Sequence, residues 1–310
     1  MKKFIARVLL LALICSLLIG VYCKAAGFAV KKYNGPTTAD QIHMSFDHAV
    51  SDDYNCYFLG NSRIYRNINP DCFPSVHAYN FGHDNDSYNQ MYYKLLYLME
   101  HRESIKYLII GTDYFQFSFL EASRNYVYSN LFPKEYQQDF GDKSKLDIMV
   151  DYYKAVWSNK QNAVLPCLKL ILNRPAGENV SYQKDNGQYF TSGTADPNEV
   201  VDRDYRVLDI QLDYFRKIIA ACEANGIQLY VIMPPLWSGE TKLHTDEERK
   251  IFDDMIRSEL SGTAFAGNYI NYSEENGLSP YTDFTDITHL NAEASDRFSK
   301  YISEKVFGAC

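Results

Sequence analysis

An almost unbroken apolar run from Val8 to Cys23 separates the start of the chain from the rest. Lysine and arginine precede it, and residues 1–30 contain no acid. Such basic residues are typical of a start that stays in the cytoplasm while the remainder crosses the membrane. The run is shorter than the roughly 20 residues of a spanning helix, but Phe4–Ala6 extend it if the Arg7 side chain reaches the headgroups. The pattern favours a retained signal anchor, with a cleaved signal peptide and secretion as the alternative.

Beyond residue 30, short apolar stretches alternate with longer segments of helical periodicity. Tyr107–Gly111 is apolar, as a strand in a sheet covered on both faces requires. The S-x-x-Q sequence at Ser87 and the T-x-x-E sequence at Thr245 are capping boxes that mark two helix starts. The pattern predicts strands at 56–60, 77–81, 107–111, 228–233 and 268–271, and helices at about 87–102, 204–225, 245 onward and 291–306.

Strands and helices that alternate through short connections indicate a parallel sheet between two layers of helices. We therefore predict an α/β fold, a three-layer α/β/α sandwich with a mostly parallel central sheet, preceded by an N-terminal transmembrane helix over residues 1–30. Residues 113–205 interrupt the alternation with one or two helices, around Leu146 to Val156, and a loop rich in Gly, Asn, Asp and Pro at about 173–200. We interpret this stretch as an insertion into one domain over residues 31–310.

The composition excludes several classes of protein. Acidic residues number 39 against 31 basic ones, and no basic stripe occurs, whereas a nucleic-acid-binding protein needs the opposite charge. The seven cysteines include no C-x-x-C pair, which argues against a disulfide framework and a metal site. Cys56 and Cys222 lie in apolar patterns and are predicted core residues. Neither a metal nor a cofactor is expected.

A serine follows the first predicted strand, in the sequence Leu59-Gly60-Asn61-Ser62-Arg63. At the start of a helical turn its hydroxyl is exposed, and neighbouring backbone N–H groups can bind an anion. A serine in such a position more commonly caps the helix. Both interpretations of Ser62, nucleophile and N-cap, therefore stand at this point.

The second polar segment is Asp286-Ile287-Thr288-His289, just before the last predicted helix. A serine becomes a good nucleophile when a neutral imidazole takes its proton, and a carboxylate orients that imidazole. Asp286 and His289, three residues apart on a loop, can supply both groups. The alternative is a polar loop in which Asp286 only makes a turn hydrogen bond.

Together the two segments resemble the SGNH/GDSL hydrolase family. The sequence LGNSR is similar to its nucleophile block with Ser62, Asn80-Phe81-Gly82 to the N-x-G of its second block, and Asp286 with His289 to its final D-x-x-H block. With the apolar start, the chain is similar to a membrane-anchored bacterial envelope subtype that includes D-alanyl-lipoteichoic acid transfer proteins and accessory proteins of membrane-bound O-acyltransferases. The resemblance covers roughly residues 54–116 and 205–306.

This resemblance implies a flavodoxin-like SGNH fold and a catalytic triad of Ser62, His289 and Asp286. It also implies an oxyanion hole made by the backbone N–H groups of Ser62 and Gly82, with Asn80 as a further donor. One residue departs from the family pattern: Asp113 stands where the third block has an asparagine that donates to the oxyanion. An ionised carboxylate cannot donate, so Asp113 either weakens the site or is a structural cap. Arg63 would bind an anionic substrate or pair with an acid on the surface.

The sequence thus predicts a membrane-tethered extracytoplasmic serine esterase or O-acyltransferase. Its substrate would be an acyl ester of a cell-envelope polysaccharide or a teichoic-acid-like polymer. The domain after the anchor would lie outside the cytoplasm, in a single-pass protein of the cell membrane. The alternative is a non-catalytic protein of the same fold that assists a membrane-bound O-acyltransferase or binds polymer.

Overall fold

A five-stranded parallel sheet forms the centre of the protein. This computed structural model describes the chain except residues 142–143, 161–162, 176–183, 190–192, 194, 197–205, 237–243, 274–276, 280–281 and 309–310. The strands are β1 (Cys56–Leu59), β2 (Ala78–Asn80), β3 (Tyr107–Gly111), β4 (Gln228–Met233) and β5 (Tyr269–Asn271). Their order is β2-β1-β3-β4-β5, and every pairing is parallel, with Phe58 opposite both Asn80 and Ile109.

Helices connect and cover these strands. In chain order they are α1 (Lys2–Asn34), α2 (Thr38–Ala49), α3 (Ser62–Asn67), α4 (Tyr88–His101), α5 (Asn125–Leu131), α6 (Glu135–Gln138), α7 (Lys145–Lys160), α8 (Val164–Ile171), α9 (Asp209–Ala224), α10 (Asp246–Leu260) and α11 (Ala292–Phe307). The capping boxes predicted at Ser87 and Thr245 open α4 and α10.

The two faces of the sheet bury separate apolar cores because successive side chains of a strand point to opposite sides. On one face, side chains such as Leu59 and Ile110 pack against α2, α4, α9 and α10. On the other, Phe58 and Ile109 pack against α3 and α11, with Phe298 among the buried residues. These layers confirm the predicted α/β/α sandwich with a parallel sheet. Cys56 and Cys222 are both buried in these cores, as predicted.

A loop segment that contains Asn186 and Gly187 covers β2, which lies at one edge of the sheet. The backbone N–H of Asn80 donates to the carbonyl oxygen of Asn186 at 2.9 Å. Gly187 follows with a φ of 87°, and a Cβ at this position would collide with the carbonyl oxygen of Asn80. Glycine therefore serves two needs here, a left-handed backbone and a close approach. The segment shields an edge that would otherwise offer unpaired backbone groups.

The described part of residues 113–205 holds four helices, α5 to α8, where the sequence predicted one or two. The predicted helix around Leu146 to Val156 corresponds to α7. Helices α5, α6 and α8 have seven, four and eight residues, which is little more than two turns at most and too short for a clear periodicity. The predicted loop at 173–200 falls largely outside the described residues.

Helix α1 is long and apolar enough to cross a membrane, and none of its most apolar section is buried against the protein. A signal sequence near an N-terminus has the same properties. The helix continues without a break to Asn34, eleven residues beyond the apolar run that ends at Cys23. Its last two turns pack against α8, so this end of α1 is part of the folded structure.

Candidate active site

The order of the strands reverses between β1 and β3, where the connections leave the sheet in opposite directions. At such a switch point the carboxyl ends of the strands open a crevice in which α/β proteins bind ligands. Ser62 lies three residues after the end of β1, and Asp113 lies two residues after the end of β3. The topology therefore places the predicted nucleophile at the position in the fold where ligands are expected.

Two glycines allow α3 to sit close to the sheet. A Cβ on Gly60 or on Gly111 would collide with the side chain of Ile64, which is fully buried between them. The Asn61 side chain caps α3 by accepting from the N–H of Arg63 at 2.9 Å. The cap position is thus taken by Asn61, and the interpretation of Ser62 as the N-cap is wrong. Ser62 is the first residue of the helix and is partly exposed.

A buried polar network lies beneath this turn. The Asn61 amide donates to Asp113 Oδ2 at 2.8 Å and also to the side-chain oxygen of Gln116. Asp113 Oδ1 accepts from the backbone N–H of Phe115 at 3.0 Å, so Asp113 caps the chain that follows β3, one of its two predicted roles. Arg63 lies 3.6 Å from Asp113 and is 1% exposed. Neither predicted role of Arg63 fits, since it is on no surface and its partner is this interior acid.

Two of the predicted oxyanion donors, Asn80 and the N–H of Gly82, lie at the end of β2 and in the loop after it, and both already make hydrogen bonds. The Asn80 amide donates to the carbonyl oxygens of Ile64 and Ile68, both at 2.9 Å. The N–H of Gly82 donates to Asn80 Oδ1 at 3.1 Å. Asn80 therefore holds α3 in place and is not a free donor in this structure. Of the three predicted donors, only the N–H of Ser62 has no acceptor among the described residues.

Asp286 and His289 form the predicted pair. His289 Nδ1 lies 2.7 Å from Asp286 Oδ2, and the backbone N–H of His289 donates to Asp286 Oδ1 at 2.9 Å. Burial favours the protonated Asp286, but the His289 contact, with two further hydrogen bonds from Thr288, holds the pKa of Asp286 well below its usual value. Burial lowers the pKa of His289 although Asp286 opposes that shift. The imidazole is therefore neutral at pH 7, as a general base must be.

The segment with this pair is attached to α3. The backbone N–H of Leu290 donates to Asn67 Oδ1, in the last position of α3, at 2.9 Å. The backbone N–H of Asn69 donates to Ser299 Oγ on α11 at 2.8 Å. Arg66, four residues after Ser62, is close enough for its charge to affect the pKa of His289. The two distant segments of the sequence thus meet at one short helix.

The contact between Ser62 and His289 is not made in this structure. The Ser62 hydroxyl forms no hydrogen bond with any described residue, and the His289 ring is hydrogen bonded to Asp286 and Thr288. Catalytic hydrogen bonds are often long or misaligned before substrate binds. The structure therefore pairs His289 with Asp286 on a loop that is bonded to the helix beginning with Ser62, and it makes no contact between this pair and Ser62.

A second group of polar side chains lies beside the pair, and the sequence did not indicate that Arg66 belongs to it. Arg66 makes a two-bond ion pair with Asp84, with distances of 2.9 and 2.6 Å, and lies over the Tyr189 ring. The His83 ring stacks on Tyr65 with centroids 5.1 Å apart, and burial together with the charge of Arg124 lowers its pKa to about 3. Ser62 and Arg66 are four residues apart, a spacing that puts two side chains on the same face of a helix, and this spacing could have indicated that Arg66 lies near the site. The described residues contain no group of three or more side chains suited to a metal ion.

A buried ion pair between Asp86 and Lys94 joins the loop after β2 to α4. Lys94 Nζ lies 2.6 Å from Asp86 Oδ2 and donates to the carbonyl oxygen of Phe81 at 2.7 Å, and Tyr128 donates to the same carboxylate at 2.8 Å. Burial raises the pKa of Asp86 and lowers that of Lys94, and each partner's charge opposes those shifts. The loop that carries Asn80 and Gly82 therefore depends on this pair.

We expect Lys94→Met to lower the free energy of unfolding by about 3–5 kcal/mol, because it leaves the Asp86 carboxylate buried without its counter-charge. Urea unfolding of the full chain in detergent measures the loss. The loss should shrink as the pH falls, since Asp86 with a raised pKa then takes up a proton in the folded state. Lys250→Met, which breaks an exposed ion pair with Asp254 on α10, is the control and should leave the midpoint unchanged. Equal midpoints for both variants would contradict the role of the pair.

Comparison with known proteins gives weak likenesses only. No family model and no curated protein matches the sequence. A structure described as a platelet activating factor from Streptococcus pneumonia aligns at 11% identity and a TM-score of 0.42, over 96% of this chain and 99% of the other. A GDSL-like lipase from Bacteroides thetaiotaomicron aligns at 14% identity over 87% and 99%, and an acylhydrolase from Bacteroides fragilis at 12% over 87% and 98%, both with a TM-score of 0.38. Such alignments do not assign a function, which has to come from the site itself.

Proposed function

We propose that this protein is a serine esterase or O-acyltransferase in which Ser62, His289 and Asp286 act together. The observation that carries the proposal is the 2.7 Å contact between His289 and Asp286, on a segment bonded to the helix that begins with Ser62. Because Nδ1 faces the carboxylate, Nε2 is the nitrogen that can accept a proton. A neutral base and an ionised orienting acid are the protonation states that serine activation needs.

The chemistry would proceed in two half-reactions. Ser62 Oγ attacks the carbonyl carbon of an acyl ester while His289 Nε2 takes the hydroxyl proton. The tetrahedral intermediate collapses, the bond to the leaving alcohol breaks, and that alcohol receives the proton from His289. Water or a sugar hydroxyl then attacks the acyl-Ser62 with His289 again as base, which regenerates the serine. The Ser62 N–H, which has no acceptor among the described residues, would support the oxyanion at the start of α3.

The proposed location is the outer face of a cell membrane. Helix α1 would be the tether, and the basic residues before it would keep the N-terminus in the cytoplasm. The substrate would be an acyl ester of an envelope polysaccharide or a teichoic-acid-like polymer. Arg66 beside the pair suits an anionic polymer, although Asp84 neutralises part of its charge.

A second proposal is a non-catalytic partner of a membrane-bound O-acyltransferase. The observation that favours it is the missing hydrogen bond between Ser62 and His289, together with the engaged donors at Asn80 and Gly82. A protein of this kind would keep the fold and bind polymer or the acyltransferase without activating Ser62.

Labelling with a fluorophosphonate probe separates the two proposals. We expect the full-length wild-type chain to form a covalent adduct and Ser62→Ala to form none, because only an activated serine attacks the phosphorus. Ser258→Ala, which removes an exposed serine on α10, should label like the wild type. Equal labelling of wild type and Ser62→Ala would remove Ser62 from the mechanism. An unlabelled wild type that co-purifies with a polytopic acyltransferase would support the non-catalytic protein.

A further inference from the structure

Hydrogen bonds, more than packing, hold the carboxylate of Asp286. Its side chain is 42% exposed, so neighbouring atoms restrict its rotation on one side only. Oδ1 accepts from the backbone N–H groups of Thr288 and His289, at 2.8 and 2.9 Å, and from the Thr288 hydroxyl at 2.9 Å. Oδ2 lies 2.7 Å from His289 Nδ1. The two oxygens therefore have separate tasks, since Oδ1 fixes the carboxylate and Oδ2 orients the imidazole.

The Thr288 hydroxyl is the side-chain donor in this set. The other two donors are backbone groups, which almost any residue at these positions would supply. An ionised carboxylate only accepts hydrogen bonds, so the single hydroxyl proton of Thr288 is directed at Asp286. Thr288 is buried, and a threonine has a restricted side-chain torsion because it is branched at Cβ. The hydroxyl is therefore a fixed donor to a carboxylate that is itself partly exposed.

The same oxygen lies against the His289 ring. Thr288 Oγ1 is 3.1 Å from Nδ1 and 3.4 Å from Nε2. An oxygen in the plane of the ring could not be this close to both nitrogens without colliding with the carbon between them, so Oγ1 lies over one face of the ring. Because its proton points to Asp286, Oγ1 presents lone pairs to the ring. Lone pairs in this position favour the imidazolium that forms when His289 takes a proton.

We propose that Thr288 is a positioning residue for the His289–Asp286 pair. Its hydroxyl fixes Oδ1 of Asp286 and covers one face of the His289 ring, so that Nδ1 and Oδ2 stay aligned while Nε2 takes the proton of Ser62. This inference rests on the proposed function and gives a task to a residue between the acid and the base. Without the hydroxyl, backbone bonds alone would hold the carboxylate, and the imidazole would be free to turn on that face.

Thr288→Val nearly keeps the shape of the side chain and removes the hydroxyl. With p-nitrophenyl acetate we expect its kcat to fall by about tenfold, because a small misplacement of a catalytic group is costly, and its KM to stay unchanged. Thr288→Ser keeps the hydroxyl and should have the wild-type kcat. Thr38→Val, at an exposed position of α2, is the control and should change neither constant. A Thr288→Val protein that is as fast as the wild type, or faster, would overturn the proposal.

Nuclear magnetic resonance of the full chain in detergent, with isotope-labelled histidine rings, examines the pair without substrate. The proton between His289 Nδ1 and Asp286 should give a resonance far downfield that is absent from His289→Gln, because its acceptor is charged and close. We expect Thr288→Ser to keep this resonance and Thr288→Val to lose it by exchange with water. A wild type without the resonance, or a Thr288→Val protein that keeps it, would contradict the role of Thr288. If the resonance responds as expected but the wild type hydrolyses no ester, the proposed function is wrong while the positioning of the pair by Thr288 stands.

Discussion

Hydrolysis of a small acetyl ester should fall by about 10⁴-fold or more in His289→Gln, which would leave only the residual rate that binding and the oxyanion hole supply. Glutamine keeps much of the shape of the ring and can still hydrogen bond to Asp286, but it cannot take the proton from Ser62 at neutral pH. Removal of the base from a serine triad costs nearly as much as removal of the whole triad, because the residues act as a unit. Initial rates with p-nitrophenyl acetate measure the loss.

His77→Gln is the matched control. His77 lies on a surface loop, half exposed, where its ring packs at a tilt against Tyr54. We expect its rate to equal that of the wild type. A His289→Gln protein that folds normally and retains more than about a tenth of the wild-type rate would show that another base, or no base, serves Ser62.

Asp286→Asn should lower the same rate by about 10⁴-fold while it leaves the fold intact. An asparagine amide can donate to His289 Nδ1, which favours the tautomer with the proton on Nε2, the nitrogen that should accept it. The residual activity should have a shifted pH profile. The Asp286 carboxylate raises the pKa of His289 against the effect of burial, so its loss lowers that pKa further and moves the acid limb of kcat/KM to lower pH.

The sign of that shift tests the pair separately from the size of the rate loss. A variant that merely disturbed the loop would lose rate with the acid limb unmoved. Asp213→Asn, which removes an exposed carboxylate from α9, should change neither the rate nor the profile. An acid limb that moves to higher pH in Asp286→Asn would mean that the carboxylate does not stabilise the imidazolium of His289.

Periodicity was sufficient to predict the sheet and its covering helices. The bounds of each strand lie within one or two residues of the predicted bounds. A short apolar run that ends near glycine or proline is typical of a strand that is buried on both faces of a parallel sheet. The boxes at Ser87 and Thr245 located two helix starts since the side chain and the backbone satisfy each other locally. The short helices between β3 and β4 were missed because their stability comes from packing, which leaves little pattern in seven or eight residues.

The sequence predicted the site in part, and the errors in that prediction have a common cause. A local sequence shows which groups are close along the chain, such as Asp286 and His289, but not which way a side chain turns at a strand end. Arg63 and Ser62 are neighbours, yet Arg63 points into the interior toward Asp113 while Ser62 is partly exposed. Asn80 is a residue type that could donate to an oxyanion, but its amide already donates to two carbonyl oxygens, those of Ile64 in α3 and of Ile68 just after α3.

The residues that sequence reasoning did not find are held together across long separations. Asp84 and Arg66 are 18 positions apart, and Asn67 and Leu290 are 223 apart. Only the fold brings such pairs together. The role of Asp113 also depends on its surroundings, since hydrogen bonds from Asn61 and the Phe115 N–H and the nearby charge of Arg63 make a buried carboxylate tolerable there.

The most direct test of the central claim is the position of the adduct that a fluorophosphonate leaves on the full-length protein. Digestion and tandem mass spectrometry should place a single phosphonyl group on the Ser62 hydroxyl, with its formation slowed together with ester hydrolysis in His289→Gln. A wild-type chain that carries the group on another residue, or carries none after long exposure, would contradict the assignment of Ser62 as a nucleophile served by His289.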